Sequence, residues 1–118
     1  MEQKVHNLNY LCKVVFNLDE DTKNLVAIPA GAEVLDVTLE ISKVLTGASI
    51  DIGFTDETQY FLDDVSADNK GYHRSESFFS APSTTQIQAA ITGHNKTTPG
   101  QAILRVVYYL PSVISVEY

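Results

Sequence analysis

The sequence predicts an all-β protein, an antiparallel β-sandwich of jelly-roll-like form with seven or eight short strands and flexible terminal arms. Apolar and polar residues alternate in several runs, which is the two-residue period of a strand with one face in water. Turn residues such as glycine, proline and asparagine separate these runs, and no stretch carries the period of a long helix. Short antiparallel strands of this kind must pair two sheets to bury their apolar faces.

The chain has the length of one domain. A chain of 118 residues buries roughly two thirds of the surface that its unfolded form exposes. We therefore expect a single sandwich domain over residues 1–118, with residues 1–9 and 112–118 as possible arms. The first arm has no apolar periodicity, and we expect it to become ordered only when something binds it.

The first strands precede a proline turn. Tyr10–Asn17 is rich in β-branched and aromatic residues and is predicted to be the first strand. Leu25–Ile28 is predicted to be a short strand that ends at Pro29, whose missing N–H suits a strand end.

The central stretch, Ile28–Phe54, is predicted to be a β-hairpin around which the chain folds. Two alternating runs flank a break at Thr46, Gly47 and Ala48. The residues predicted to form the buried face of this hairpin are Leu35, Val37, Leu39, Ile41, Ile50 and Ile52.

A long acidic excursion, Thr55–Ser80, follows the hairpin. We expect it to hold one helical turn, because Phe61 and Val65 are four residues apart, and to return as a strand over Tyr72–Ser80. Ala81 and Pro82 are predicted to end this strand.

Two strands are predicted in the C-terminal part. Thr85–Thr92 alternates, with every second residue apolar from Ile87 to Ile91. After an exposed connection over Gly93–Gly100, the run Ala102–Leu110 is apolar on both faces apart from Arg105, which predicts a central strand covered on both sides.

Charge and composition exclude several classes of function. The net charge of −7 opposes a sequence-independent grip on nucleic acid, because such binding needs lysine and arginine to neutralise phosphates. No run approaches the ~18 consecutive apolar residues of a membrane span. The N-terminus lacks the apolar segment of a secretory signal, so we expect a protein made and kept inside the producing cell. The single cysteine, Cys12, rules out an internal disulfide and is predicted to be a packed free thiol.

The sequence shows no catalytic or cofactor-binding constellation. The histidines His6, His73 and His94 lack the spacing of a zinc site. A tertiary arrangement of His73 with Asp64 and a serine stays open, although the sequence lacks the G-x-S-x-G motif of a nucleophile elbow. We expect a protein that is not an enzyme and that binds no cofactor or metal.

The excursion holds the densest group of potential calcium ligands. An EF-hand alignment fails, because Asn69 stands where the loop needs glycine and Ser75 stands where it needs the bidentate glutamate. The sequence therefore favours a solvated acidic loop over a calcium site. The acidic residues concerned are Asp56, Glu57, Asp63, Asp64 and Asp68.

Five aromatic residues form a candidate ligand surface. Such residues stack on sugar rings in carbohydrate-binding modules, and they equally fill the end of a β-sandwich. The absence of tryptophan favours the second interpretation. The residues are Tyr60, Phe61, Tyr72, Phe78 and Phe79.

Two segments resemble a pattern found in small virion proteins of tailed bacteriophages. The run IPAGAEVLDVTLEISKVLTGASIDIGFTDETQYFLDD, Ile28–Asp64, combines a PAG turn, an alternating strand and a strand that ends in glycine before an acidic loop. The run GQAILRVVYYL, Gly100–Leu110, is a glycine-led strand with tyrosines near its end. The resemblance implies a β-sandwich or jelly-roll protein that decorates or cements a capsid, usually as a trimer, or a related head-fibre or tail component. It implies no catalytic residue.

From this resemblance we expect a structural virion protein on the outer capsid surface, made in the host cytoplasm. Its expected partners are the major capsid protein and neighbouring copies of itself, with the two arms adding strands to them. The alternative is a carbohydrate- or receptor-binding module of a phage fibre or tail, with the five aromatic residues as its contact surface. The candidate interface residues in the arms are Val5, Leu8, Val113, Ile114, Val116 and Tyr118.

Overall fold

Nine strands run through the part of the chain that the computed structural model describes, namely the backbone of residues 2–115 and the side chains of residues 8–110. Within this backbone there is no helix of the length and apolarity that crossing a lipid bilayer requires. The strands are β1 (Glu2–Asn17), β2 (Thr22–Ile28), β3 (Glu33–Lys43), β4 (Ser49–Gly53), β5 (Leu62–Ser66), β6 (Gly71–Arg74), β7 (Phe79–Ser80), β8 (Thr85–Thr92) and β9 (Gln101–Ser115).

The strands form two antiparallel sheets that pack face to face. The first sheet has the order β1-β9-β3-β6, with the short β7 beside β3, and the second has the order β2-β8-β4-β5. Successive strands thus cross repeatedly from one sheet to the other, which is the jelly-roll arrangement. The predicted all-β sandwich is confirmed. It has nine strands instead of seven or eight, partly because the single strand predicted over Tyr72–Ser80 is divided into β6 and β7.

The predicted hairpin over Ile28–Phe54 is wrong. β3 pairs with β9, β6 and β7, whereas β4 pairs with β8 and β5, so the two strands belong to different sheets. Their apolar faces meet across the sandwich instead of lying side by side. Alternation identifies the buried face of a strand, but it does not identify the strand's lateral neighbour.

One residue of the predicted buried face lies outside the core. The pairing of β3 with β9 shifts between Val34 and Asp36, which marks a β-bulge at Leu35. The bulge leaves Leu35 44% exposed, while Val34 before it is fully buried. The other five residues predicted for this face are buried: Val37, Leu39, Ile41, Ile50 and Ile52.

Both terminal strands are longer than the sequence predicts. β1 begins at Glu2 and β9 ends at Ser115, so residues 2–9 and 112–115 of the segments expected to be flexible arms have strand geometry. Whether neighbouring molecules bind them stays a prediction. The helical turn expected around Phe61 is also absent from the described backbone, where Tyr60 N–H donates to the Glu57 carbonyl at 3.2 Å and β5 begins at Leu62.

The core lies between the two sheets. β8 has the predicted bounds, and Ile87, Ala89 and Ile91 face inward as expected. β9 is central, as predicted, but it is covered by sheet on one face only. Its inward residues Ala102, Leu104 and Val106 are fully buried, whereas outward residues such as Ile103 and Val107 are half-buried. The largest fully buried side chains are Leu18, Ile28, Val34, Val37, Leu39, Ile41, Ile50, Ile52, Ile87, Leu104 and Val106.

Candidate assembly surface

The paired ends of β1 and β9 extend beyond the sandwich. β3 begins at Glu33, which pairs with Tyr109, so within the described backbone the last residues of β9 pair with β1 alone. We call residues 2–8 together with residues 110–115 the terminal ribbon. The molecule measures 62 × 25 × 19 Å along its principal axes, and is therefore elongated. An isolated two-stranded ribbon is at best marginally stable in water, so binding to a partner would stabilise this part of the chain.

A bulge interrupts the terminal ribbon at Pro111. Val5 pairs with Ser112 and Leu8 pairs with Leu110, so two residues of β1 lie opposite the single proline. Proline has no N–H to donate to the ladder, and a bulge is one of the few places in a sheet that tolerates it. The chain therefore continues as a ribbon past a residue that would otherwise end the strand.

The base of the terminal ribbon is apolar on its inner face. The rings of Tyr10 and Tyr108 stack with centroids 5.2 Å apart, and burial raises the pKa of the Tyr108 hydroxyl. Leu8, one of the predicted interface residues, is 54% exposed, and its partner Leu110 packs only partly against the core. The apolar inner face of the sheet thus runs out of the sandwich into solvent.

The other predicted interface residues lie in the terminal ribbon or beyond the described chain. Val113 pairs with Lys4, Ile114 pairs with Gln3, and Val5 lies next to the bulge. Val116 and Tyr118 lie outside the described residues. The structure thus brings three predicted positions into one ribbon with Leu8.

A second apolar surface lies on the outward face of β1 and β9, and the sequence analysis did not predict it. Leu11 pairs with Val107, Val15 pairs with Ile103, and Lys13 lies between the two apolar pairs. Leu11 and Val15 are 64% and 52% exposed. We call these five residues the outer strip. It lies at the free edge of the first sheet, because β1 is the edge strand. The signal for it was the run Ala102–Leu110, which is apolar on both faces.

A groove lies at the opposite edge of the same sheet. It is lined by Leu35, Arg74, Ser75, Glu76 and Phe78, and has a volume of about 390 Å³. The bulge in β3 turns Leu35 toward it, and the chain between β6 and β7 is fixed there by the Ser75 N–H, which donates to the Val37 carbonyl at 2.9 Å. We call this feature the edge groove.

The five predicted aromatic residues divide into two groups. Tyr60, Phe61 and Phe79 pack with Phe54 into a cluster in which ring centroids lie 4.5 to 5.7 Å apart. This cluster is part of the core packing, as the second interpretation expects. The remaining two, Tyr72 and Phe78, are 71% and 68% exposed.

A carboxylate cluster lies on β4 and β5. Asp51, Asp63 and Asp64 each offer an oxygen within 4.8 Å of the others, and the Asp64 N–H donates to Asp51 Oδ1 at 2.7 Å. Partial desolvation raises the pKa of Asp63, and the nearby charges of Asp64 and Asp51 raise it further. Asp64 has a φ of 50°, a left-handed conformation that few residues other than glycine adopt. Of the predicted acidic group, Asp68 instead accepts a hydrogen bond from the Gly47 N–H.

The other sequence candidates are separated by the fold. His73 lies on β6 and Asp64 lies on β5, in different sheets. Cys12 is half-buried and packs against the core, which agrees with a packed free thiol.

Solved structures similar to this chain include two from bacteriophage capsids. A chain of the structure described as "Acidic stable capsid structure of Helicobacter pylori bacteriophage KHP30" is 38% identical, with a TM-score of 0.83 over 100% of both chains. A chain of the structure described as "Cyanophage Pam1 capsid asymmetric unit" is 19% identical, with a TM-score of 0.62 over 90% of this chain and 86% of that one. The second likeness concerns the fold alone. No protein-family model matches the chain, and no curated protein matches it.

Proposed function

Since the chain belongs to the same protein family as the small all-β chain of the KHP30 capsid and has a capsid-associated structural role, we propose that it decorates or cements a bacteriophage capsid. In this proposal it sits on the outer surface of the virion, bound to the major capsid protein and to neighbouring copies of itself as a trimer. The single observation that carries the proposal is the similarity over the whole of both chains.

The terminal ribbon is the element proposed to contact the major capsid protein. Its backbone has free hydrogen-bonding edges, because β9 has no neighbour but β1 beyond Tyr109 within the described backbone. An added strand from another chain satisfies such edges with main-chain hydrogen bonds, and alternate side chains give the contact its specificity. Leu8, 54% exposed at the base of the ribbon, adds apolar area to the contact.

The charge of the chain suits this role. A net charge of −7 on 118 residues keeps free copies soluble and opposes non-specific association. Binding must then come from a specific surface. Leu8 at the base of the terminal ribbon, and Leu11 and Val15 in the outer strip, are exposed apolar residues that supply such a surface on an acidic molecule.

Deleting residues 112–118 tests the proposed attachment. The deletion removes most of the β9 half of the terminal ribbon and leaves the strand pairings of the sandwich intact, so the shortened chain is expected to melt cooperatively. It is expected to lose binding to capsids that lack the protein, measured by co-sedimentation. The Val44→Ser variant, which changes an exposed apolar residue between β3 and β4, is the control that retains binding. Undiminished capsid binding by the shortened chain would contradict the proposal.

A carbohydrate- or receptor-binding module is the second candidate function. It is favoured by the exposure of Tyr72 and Phe78, on the strand and loop that border the edge groove, where Arg74 and Glu76 supply polar groups. Aromatic faces beside charged side chains suit the stacking and hydrogen bonding of a sugar. A glycan array decides between the two functions: a hit that Tyr72→Ala and Phe78→Ala both abolish would favour ligand binding.

A further inference from the structure

We propose that the outer strip of one copy docks into the edge groove of a neighbouring copy, so that the chains join head to tail in a closed ring. This inference rests on the proposed function, because it assigns the surfaces through which copies on the capsid contact each other. It concerns contacts between copies alone and is independent of the terminal ribbon.

The outer strip has an apolar, cationic, apolar pattern. Leu11 and Val15 are four residues apart, about 13 Å along an extended strand, with Lys13 midway between them. Arg105, which pairs with Lys13 in the register, is bound to Glu40 by an ion pair of 2.8 Å. Lys13 has no ion pair among the described side chains, so its charge is available to a partner.

The edge groove has the complementary pattern. Leu35 and Phe78 are 44% and 68% exposed, and Glu76 lies in the same lining. Arg74 already forms an ion pair within the chain, because its Nε lies 3.2 Å from Asp36 Oδ1. Within the described part of the molecule Glu76 has no such partner, so the groove offers one available carboxylate together with two exposed apolar side chains.

The outward face of β9 also carries apolar residues that a neighbouring molecule could bury. Ile103 and Val107 are apolar, and they face away from the core of their own chain. Exposed apolar residues grouped on one sheet face mark an interaction surface. Leu11 and Val15 widen that group to the sheet edge, where an edge strand offers its unpaired backbone groups as well.

Charge decides between two ways of joining copies. A two-fold contact of strip with strip would bring Lys13 of both copies together, and like charges at a contact oppose association. A contact of strip with groove instead places Lys13 beside Glu76. The two surfaces lie at opposite edges of one sheet, so each copy offers one of each. Repetition of such a head-to-tail contact gives a ring, such as the proposed trimer, when the rotation between copies closes, and an open filament when it does not.

Charge exchange tests this contact in the full chain. We expect sedimentation velocity and native mass spectrometry to show a ring of the wild-type protein in the absence of capsids. Lys13→Glu and Glu76→Lys are each expected to raise the dissociation constant about tenfold or more. The double variant restores the attraction with its sign reversed and is expected to recover most of the association. Lys70→Glu, an equal charge change in the turn before β6, is the control that leaves the ring intact.

The apolar part of the contact has its own test. Leu11→Ser is expected to weaken the ring about tenfold, whereas the Val44→Ser control leaves it unchanged. A wild-type chain that stays monomeric at high micromolar concentration would overturn the inference. A ring whose dissociation constant is unchanged by all of these substitutions would also overturn it. So would a monomeric chain whose binding to capsids depends on Leu11, because the outer strip would then contact the capsid protein. A Lys13→Glu variant that is monomeric and still co-sediments with capsids would support the proposed attachment to the capsid, because that attachment does not depend on the contact between copies.

Discussion

Replacing Leu39 and Leu35 by alanine, one at a time, tests the register of β3. The two leucines are four residues apart on one strand, and strict alternation would bury both. The bulge at Leu35 instead leaves it 44% exposed, while Leu39 is fully buried opposite Leu104 of β9. The two substitutions remove the same atoms, so any difference between them reports the environment.

The expected effects differ severalfold. Truncation of a fully buried leucine lowers the free energy of unfolding by about 3–5 kcal/mol, because a cavity adds to the lost transfer free energy. The same change at Leu35 is expected to lower it by less than about 1 kcal/mol. With a urea m-value of about 2 kcal/mol per molar, Leu39→Ala should move the unfolding midpoint by roughly 1.5–2.5 M. Leu39→Asp is expected to abolish folding, because it buries an unpaired charge.

Urea unfolding at two protein concentrations measures both variants. Two concentrations are needed because Leu35 lines the edge groove, and any loss of association makes the midpoint depend on concentration. Equal midpoints for Leu39→Ala and Leu35→Ala would refute the assigned register. A soluble, cooperatively melting Leu39→Asp variant would refute the inward orientation of this residue.

Two further predictions concern β4 and the loop and strand that follow it. Gly53→Ala is expected to lower the free energy of unfolding by about 1–3 kcal/mol, because a Cβ at this residue would meet the backbone carbonyl oxygens of Glu57 and Thr58. Gly71→Ala is the control, because a Cβ at Gly71 would lie in open space. Asp63→Asn is expected to raise the urea midpoint at pH 7. Because the folded-state pKa of Asp63 is raised, folding favours its protonated form, and the contribution of Asp63 to stability falls as the pH rises from about 4 through that raised pKa.

Each of these predictions has a definite failing result. Equal melting temperatures for the two glycine variants would contradict the close approach at Gly53. For Asp63→Asn, the gain over wild type should shrink as the pH falls toward 4, and a gain that is constant with pH would contradict the proposed cause. Asp56→Asn, which makes the same charge change outside the carboxylate cluster, is the matched control.

The strands of the sandwich were largely predictable because burial on one face produces the two-residue period. Thr85–Thr92 was predicted with the bounds that β8 has. The terminal ribbon was not predictable in the same way. Residues 2–8 have strand geometry, but no second sheet requires them to bury one face, so their sequence carries no period.

The local alternation of apolar and polar residues does not determine which strands pair with each other. β3 and β4 are adjacent in sequence and alternate alike, yet they do not pair with each other, and each has one partner, β9 or β8, from the distant C-terminal part of the chain. The bulge at Leu35 escaped prediction for a related reason. It arises where β3 is matched to β9, a strand about seventy residues away in sequence.

The candidate assembly surface was predictable in part. Leu8 was expected at an interface from its place near the N-terminus, and it is exposed. The outer strip was missed because Leu11 and Val15 lie in a run that looks like core sequence throughout. The run Ala102–Leu110 is apolar on both faces apart from Arg105, which indicates that both faces of β9 are buried. The sequence does not say whether the outward face is buried by the same chain or by another.

The most direct test of the proposed function is a cryo-electron microscopy map of the virion at a resolution that traces side chains. We expect the chain on the outer surface of the capsid, with residues 2–8 and 110–115 against the major capsid protein. We also expect Lys13 of each copy beside the edge groove of the next. Absence of the chain from the shell, or a terminal ribbon that points into solvent with no contact, would contradict the proposed attachment.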